Sequence, residues 1–141
     1  MTAMKVLVTG GSSMIGAGVA NALTARGNDV VCLQRNRSAL VDAAVAQHLG
    51  DIRERETVVE SAAGCDAIVH LGGISVEAPF EAILQSNILG VYHLYEAARK
   101  HGVKRVVFAS SNHVVGFYKQ GETITADHPP RPDSFYGVSK A

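Results

Sequence analysis

The sequence predicts an α/β domain built on a doubly wound parallel sheet. Three observations carry that reading. Short β-branched runs alternate with longer amphipathic stretches along the chain. The β-branched runs are near-continuously apolar, as strands covered on both faces are. Glycines cluster directly after apolar runs, where backbone turns sharply or approaches a ligand. At 141 residues the chain is one domain's worth, by the rule of about 100–200 residues per domain.

Each element follows from its own signals. Lys5–Thr9 (KVLVT) is a buried strand that ends at Gly10 and Gly11. Met14–Arg26 has helical spacing, with Ile15, Val19, Ala22 and Leu23 on one face and Gly27 as its stop. Asp29–Leu33 is the second strand. Ser38 is an N-cap residue type, and a helix is expected from there through Ala46. Gln47–Leu49 is a short third strand, and Arg53–Ala63 a charged helix stopped by Gly64. Ala67–Leu71 is the fourth strand. Phe80–Lys100 is a long helix, with Phe80, Leu84, Ile88, Val91, Tyr95 and Ala98 at three- and four-residue spacing. Lys104–Ala109 is the fifth strand. A polar loop with Pro129, Pro130 and Pro132 leads to a last helix that begins near Ser134. One turn of helix does not hold itself together, so residues 1–141 read as the front part of a longer protein. Right-handed crossovers make the doubly wound sheet the simplest way to join these strands.

Composition excludes several classes. Lys+Arg and Asp+Glu are both 13, so no global field attracts nucleic acid or anionic lipid. Two cysteines cannot build a disulfide framework, and no metal-ligand spacing joins them to the six histidines. The charge-free stretch Ala82–Tyr95 is too short to span a bilayer. No signal peptide precedes the first strand. The expectation is a soluble domain of the reducing cytoplasm, with neither nucleic acid nor membrane as partner.

The first glycine turn, Gly10-Gly11-Ser12-Ser13-Met14-Ile15-Gly16, sits between a strand and a helix. There it points free backbone N–H groups and a helix dipole at a pyrophosphate. Gly10 allows the turn, and Gly16 allows close helix–strand packing. This is the setting in which a glycine loop binds a dinucleotide. The second strand is followed by Gln34-Arg35-Asn36-Arg37. An NAD site usually carries an acid near Gln34 for the ribose 2′-OH. Arg35 and Arg37 suit a 2′-phosphate instead, so either NAD or NADP fits, unless both arginines are only solvated. Asp51-Ile52 follows the third strand, where Asp51 either bonds the adenine amino group or caps the next helix. Leu71-Gly72-Gly73 lets a dinucleotide lie across the strand ends.

Tyr136 and Lys140 stand at i and i+4, one face of a helix. A phenol is a poor base at neutral pH. A neighbouring ammonium favours its anion, and such a pair shuttles a proton while a nicotinamide exchanges hydride. Ser111, after the fifth strand, can bond the same substrate oxygen.

TGGSSMIG, Asp51, NILG, ASSN and YGVSK together resemble the extended short-chain dehydrogenase/reductases of epimerase/dehydratase type. The stretch LGGISVEAPFEAILQSNILGVYHLYEAARKHGVKRVVFASSNHVVGFY is similar, more narrowly, to the uronate dehydrogenases. The resemblance covers most of the chain and is most specific from Leu71 to Ala141. It implies a Rossmann domain followed by a small substrate lobe. It implies Tyr136 as general base, Lys140 as its activator and nicotinamide-ribose anchor, and Ser111 as orienter. Ser75, Ser111, Asn112 and His113 would then line the sugar pocket with Tyr136, and Asn87 would support the hydrogen-bond network beside the cofactor. The implied reaction moves hydride from the anomeric carbon of a hexuronic acid, galacturonate or glucuronate, to the nicotinamide and yields an aldarolactone.

The chain departs from that family's pattern in three places. Ser13 replaces the middle glycine of the turn, where it either crowds the pyrophosphate or bonds it. Gln34 replaces the usual acid. The family's later strands, and its arginine for the sugar carboxylate, lie beyond Ala141. The alternatives are a nucleotide-sugar epimerase or dehydratase using the same Ser/Tyr/Lys set, and a non-catalytic dinucleotide-binding module. His70 reads as a packed core residue. Cys32 and Cys65 read as small strand and turn residues. With nothing to indicate secretion, the Asn36-Arg37-Ser38 sequon carries no weight. Tyr92 and Tyr95 make the long helix a candidate homo-oligomer surface, or a helix buried on its own sheet.

Overall fold

A computed structural model describes residues 2–141. Five strands form one parallel sheet: β1 (Lys5–Thr9), β2 (Asp29–Gln34), β3 (Ala46–Leu49), β4 (Ala67–His70) and β5 (Arg105–Phe108), in the order β3-β2-β1-β4-β5. The chain builds outward from β1 on one side, then returns to place β4 against its other edge. β1 pairs Val6 with Val30 on one side and with Ala67 on the other. The strand order reverses at the carboxyl ends of β1 and β4, the place where open α/β sheets bind ligands.

Strand alternation sends side chains to two cores. Leu7, Leu33 and Ile68 pack under α2 (Arg55–Ser61) and α4 (Gly90–His101), with Val58, Leu94 and Ala97. Val6, Val8, Val30 and Cys32 pack under α1 (Met14–Ala25), with Ala17 and Ala20. The buried face of α1 is therefore Gly16, Ala17 and Ala20, small residues that bring the helix close to the sheet. Val19 and Leu23 only flank that core, and Ile15 is 69% exposed, so the apolar face expected from spacing is not the packed one.

Residues 38–45 form consecutive turns instead of the expected helix. Asn21 of α1 reaches across and holds the middle of this segment: its Nδ2 donates to Leu40 O at 2.9 Å, and its Oδ1 accepts from Asp42 N at 2.8 Å. Ser38 and Asp42 bond backbone two residues on, the local competition that unwinds short helices. Val41 and Val45 are still buried and fill the core a helix would have filled.

The long helix is interrupted. α3 (Phe80–Ile83) passes into a π-helical stretch, Leu84–Leu89, before α4 resumes. The side facing the sheet carries Ile83, Asn87, Gly90, Leu94 and Ala97. The stripe read from spacing lies mostly outward instead, with Phe80 at 43%, Ile88 at 37% and Tyr95 at 49% exposure. The inward positions keep regular three- and four-residue spacing but carry small or polar residues such as Asn87, Gly90 and Ala97, while larger apolar residues stand one position on, along the neighbouring stripe. A 3-10 turn, Asn112–Val115, and α5 (Phe135–Ser139) complete the described elements.

Candidate dinucleotide and catalytic site

A crevice of about 680 Å³ runs across the carboxyl ends of β1, β2 and β4. One wall is the turn between β1 and α1. Gly10 has φ +75°, and its N–H donates to Leu33 O at 2.9 Å. A Cβ on Gly16 would collide with Gly10 O, so the helix approaches the turn only because none is present. Ser12, Ser13, Met14 and Ile15 line the crevice. Gly16 does not; it packs beneath. The Ser13 hydroxyl is engaged within the turn: it donates to Gly10 O at 2.9 Å and accepts from Gly16 N at 3.0 Å as the N-cap of α1. That cap satisfies one of the orphan N–H groups at the helix start.

The opposite end of the crevice is formed by β2 and β3. Gln34 is only 3% exposed; its Nε2 donates to Gln47 Oε1 at 2.5 Å, and its own Oε1 has no hydrogen-bond partner among the described residues. A buried acceptor without a donor is costly. This oxygen points at Gly11 beneath the turn and not into the crevice. Arg35 also lines the crevice and is exposed, whereas Arg37 stands apart. Asp51 accepts from Arg53 Nε at 2.9 Å, Arg53 Nη2 at 2.8 Å and Arg53 N at 2.9 Å. The Arg53 guanidinium holds the Asp51 carboxyl below the usual carboxylate range. Asp51 is thus paired with Arg53 and is not the N-cap of α2, where Glu54 stands.

Under the crevice floor lies a buried polar cluster that the sequence did not announce. Thr9 Oγ1 accepts from Leu71 N at 3.2 Å and Gly72 N at 3.0 Å, and lies 2.6 Å from His70 Nδ1. The hydroxyl proton therefore goes to Nδ1, which leaves the ring proton on Nε2. Nε2 is buried without a partner among the described residues. Burial, then the nearby Lys140 charge, pushes the His70 pKa down to about 4. His70 is a packed neutral histidine, as its strand position suggested. Its ring stacks on Phe108 at 5.5 Å, and the Lys140 Nζ sits 5.0 Å from the centroid of the Phe108 ring.

α5 brings Tyr136 and Lys140 to the far end of the same crevice, 8% and 6% exposed respectively. Burial lowers the Lys140 pKa from its usual value. Three side chains hold α5 from outside. Ser134 caps Gly137 N at 3.0 Å, Glu77 Oε2 accepts from Tyr136 N at 3.0 Å, and Ser110 Oγ donates to Lys140 O at 2.8 Å. Asn87, from the π-helical stretch, brackets the loop after β4: it accepts from Ile74 N at 2.8 Å, donates to Ile74 O at 2.9 Å, and donates to Ser139 Oγ at 3.0 Å. Asn87 supports the crevice from behind and does not line it.

Leu71, Gly72, Gly73, Ser75, Asp51 and Ile52 all line the crevice. Ser111, Asn112 and His113 do not. Ser111 Oγ accepts from His113 N at 3.2 Å and so caps the 3-10 turn, while the His113 ring stands edge-on to Tyr136 at 5.6 Å. Ser110, Thr9, Ile74 and Ser86 line the crevice without having been singled out. A strand ending in Ser-Ser gives no means of telling which hydroxyl faces inward.

A glycine turn at a helix start, the exposed Arg35 at the β2 end and a buried Tyr136/Lys140 pair, all lining one crevice, fit a nicotinamide dinucleotide laid across the sheet. The comparisons with known proteins agree. Uronate dehydrogenase from Pseudomonas syringae pv. tomato is 64% identical over 91 residues, which cover 64% of this chain and 33% of that protein. The crystal structure of uronate dehydrogenase from Agrobacterium tumefaciens superposes with a TM-score of 0.91 at 45% identity, covering 99% of this chain and 53% of that one. A tyrosine-to-alanine mutant of the latter, complexed with NAD, gives 0.90 at 44% identity, covering 99% of this chain and 52% of that one. The matched segment is thus about a third of the first relative's length, and the chain spans about half of the solved structures. A family model matches residues 6–141, and the chain belongs to the NAD dependent epimerase/dehydratase family.

Proposed function

We propose that the chain carries the cofactor-binding and proton-handling part of a nicotinamide-dependent sugar-acid dehydrogenase working in the cytoplasm. The observation that carries this reading is that Tyr136 and Lys140 are buried in the same crevice as the Gly10–Ile15 turn. The substrate is a hexuronic acid, galacturonate or glucuronate, as the names of the relatives support. When bound, the nicotinamide supplies the hydride acceptor. The chain's own residues manage the rest. Tyr136 Oη takes the proton of the anomeric hydroxyl as the C1–H bond gives up its electron pair and the C1–O bond becomes a carbonyl. The Lys140 ammonium favours negative charge on that phenol oxygen and offers donors to ribose hydroxyls. Ser110 and Ser111 bracket the carbonyl end of Lys140 and the 3-10 turn, with Ser111 as the hydroxyl that orients the sugar oxygen. Ser75, Asn112 and His113 complete the sugar side.

For the cofactor, Gln34 forms the crevice wall beside the ribose and Arg35 accommodates a 2′-phosphate, so the site takes NAD and admits NADP. The outward stripe of Ile88, Tyr92 and Tyr95 serves self-association. The test is cofactor reduction by the whole protein with galacturonate and glucuronate, run beside a UDP-sugar epimerisation assay. Activity on uronates supports the reading. Conversion of the UDP-sugar alone replaces it with an epimerase.

A further inference from the structure

The 3-10 turn and the start of α5 are joined by one carboxylate. His113 Nδ1 lies 2.9 Å from Asp133 Oδ1 and 3.1 Å from Oδ2, and Asp133 Oδ1 also accepts from Ser134 Oγ at 3.1 Å. The backbone repeats the link, with Asp133 N donating to His113 O at 3.2 Å. The His113 and Asp133 side chains are 48% and 30% exposed. At such exposure an ion pair adds little stability, so the contact is poorly explained as a fold-holding bridge. Space for it is nevertheless built in: a Cβ on Gly116 would collide with the Asp133 carboxylate.

We propose that Asp133 is a positioning residue that fixes His113 as its Nδ1–H tautomer, leaving Nε2 free beside Tyr136 to accept a hydroxyl of the sugar acid. The carboxylate accepts only, so the proton on the bonded nitrogen is assigned by its partner. The His113 hydrogen bond holds the Asp133 carboxyl below its usual range, which keeps it an acceptor. Through Ser134, the N-cap of α5, the same carboxylate sets that imidazole in register with the helix that carries Tyr136 and Lys140. Its consequence for catalysis rests on the sugar-acid reading above; the tautomer does not.

The test uses protein with ¹⁵N-labelled histidine, the His113 signals being identified by their loss in His113→Gln. The unmodified protein should show the Nδ1–H form. Asp133→Asn should move His113 toward the Nε2–H form. Gly116→Ala should do the same while leaving the carboxylate chemically intact, because its methyl displaces Asp133. With uronate as substrate, both variants should raise KM roughly tenfold, the scale of one lost polar contact, with kcat within about threefold and NAD affinity retained as the check on folding. An Nε2–H form in the unmodified protein, or the same tautomer in both variants, overturns the proposal. A tautomer change with unaltered KM removes the sugar contact. Absence of uronate oxidation in the unmodified protein overturns the sugar-acid reading, while the spectra still decide the Asp133–His113 coupling.

Discussion

His70 and Tyr136 show how differently two buried polar residues serve one crevice. Tyr136 lines it, and its hydroxyl is the group the proposed chemistry requires. Tyr136→Phe should lower turnover of the whole enzyme by about 10²–10⁴-fold, the range of general acid–base catalysis, with cofactor affinity little changed. Retained turnover would remove Tyr136 from the mechanism. His70 lies below the crevice and acts on stability. Its pKa falls to about 4 in the fold from 6.5. Between those values the unfolded chain binds a proton that the folded chain refuses, so stability drops as pH falls through that window. The full difference is about 3 kcal/mol. Urea midpoints measured at pH 7 and near pH 4.5 should show that slope, and His70→Leu should flatten it. At the β2 end, Arg35→Ala should weaken NADP binding by about tenfold, the loss of one charge-assisted contact, and leave NAD binding within twofold; equal losses for both cofactors would make Arg35 a general phosphate contact.

At the scale of elements, the π-helical stretch holds the loop after β4. It carries Asn87, 3% exposed, with its amide bonded to both polar groups of Ile74. Asn87→Leu removes the partner of both groups and, because Ile74 is only part-buried, should cost about 1–3 kcal/mol in urea unfolding. A loss below about 1 kcal/mol would mean that the loop re-pairs elsewhere. Strands, the glycine turn and the Tyr136/Lys140 spacing were legible because each is a local pattern: a β-branched run, a glycine after a strand, a four-residue interval. The inward face of the long helix was not, because it is made of small and polar residues, Asn87, Gly90 and Ala97 among them, beside a more conspicuous apolar stripe. Residues 38–45 read as helix because their folding is dictated by Asn21, from outside the segment. Ser13 looked like a phosphate contact or an obstruction, and its hydroxyl is spent on capping. The Thr9–His70 pair joins positions 61 residues apart, a separation no local pattern encodes.

At the scale of the molecule, the outward stripe of the long helix stays exposed, with Tyr92 at 56% and Tyr95 at 49%. Large exposed apolar patches favour association. If self-association uses this stripe, Tyr92→Glu with Tyr95→Glu should shift sedimentation toward smaller species; an unchanged distribution would remove the stripe from the contact.

The position of β1 at the middle of the sheet has a kinetic consequence. Its partner β2 follows closely in the chain, but β4 can zip onto the other edge only after a long intervening segment has been gathered in. Closing that segment costs entropy before it returns any contact, and non-local pairing of this kind is slow. The nascent or refolding chain should therefore pause as a half-built sheet with Leu7 open to solvent. Dilution during refolding should raise the yield, and the amides of Val6 to Val8, once locked between two neighbours, should be the last to exchange with deuterium.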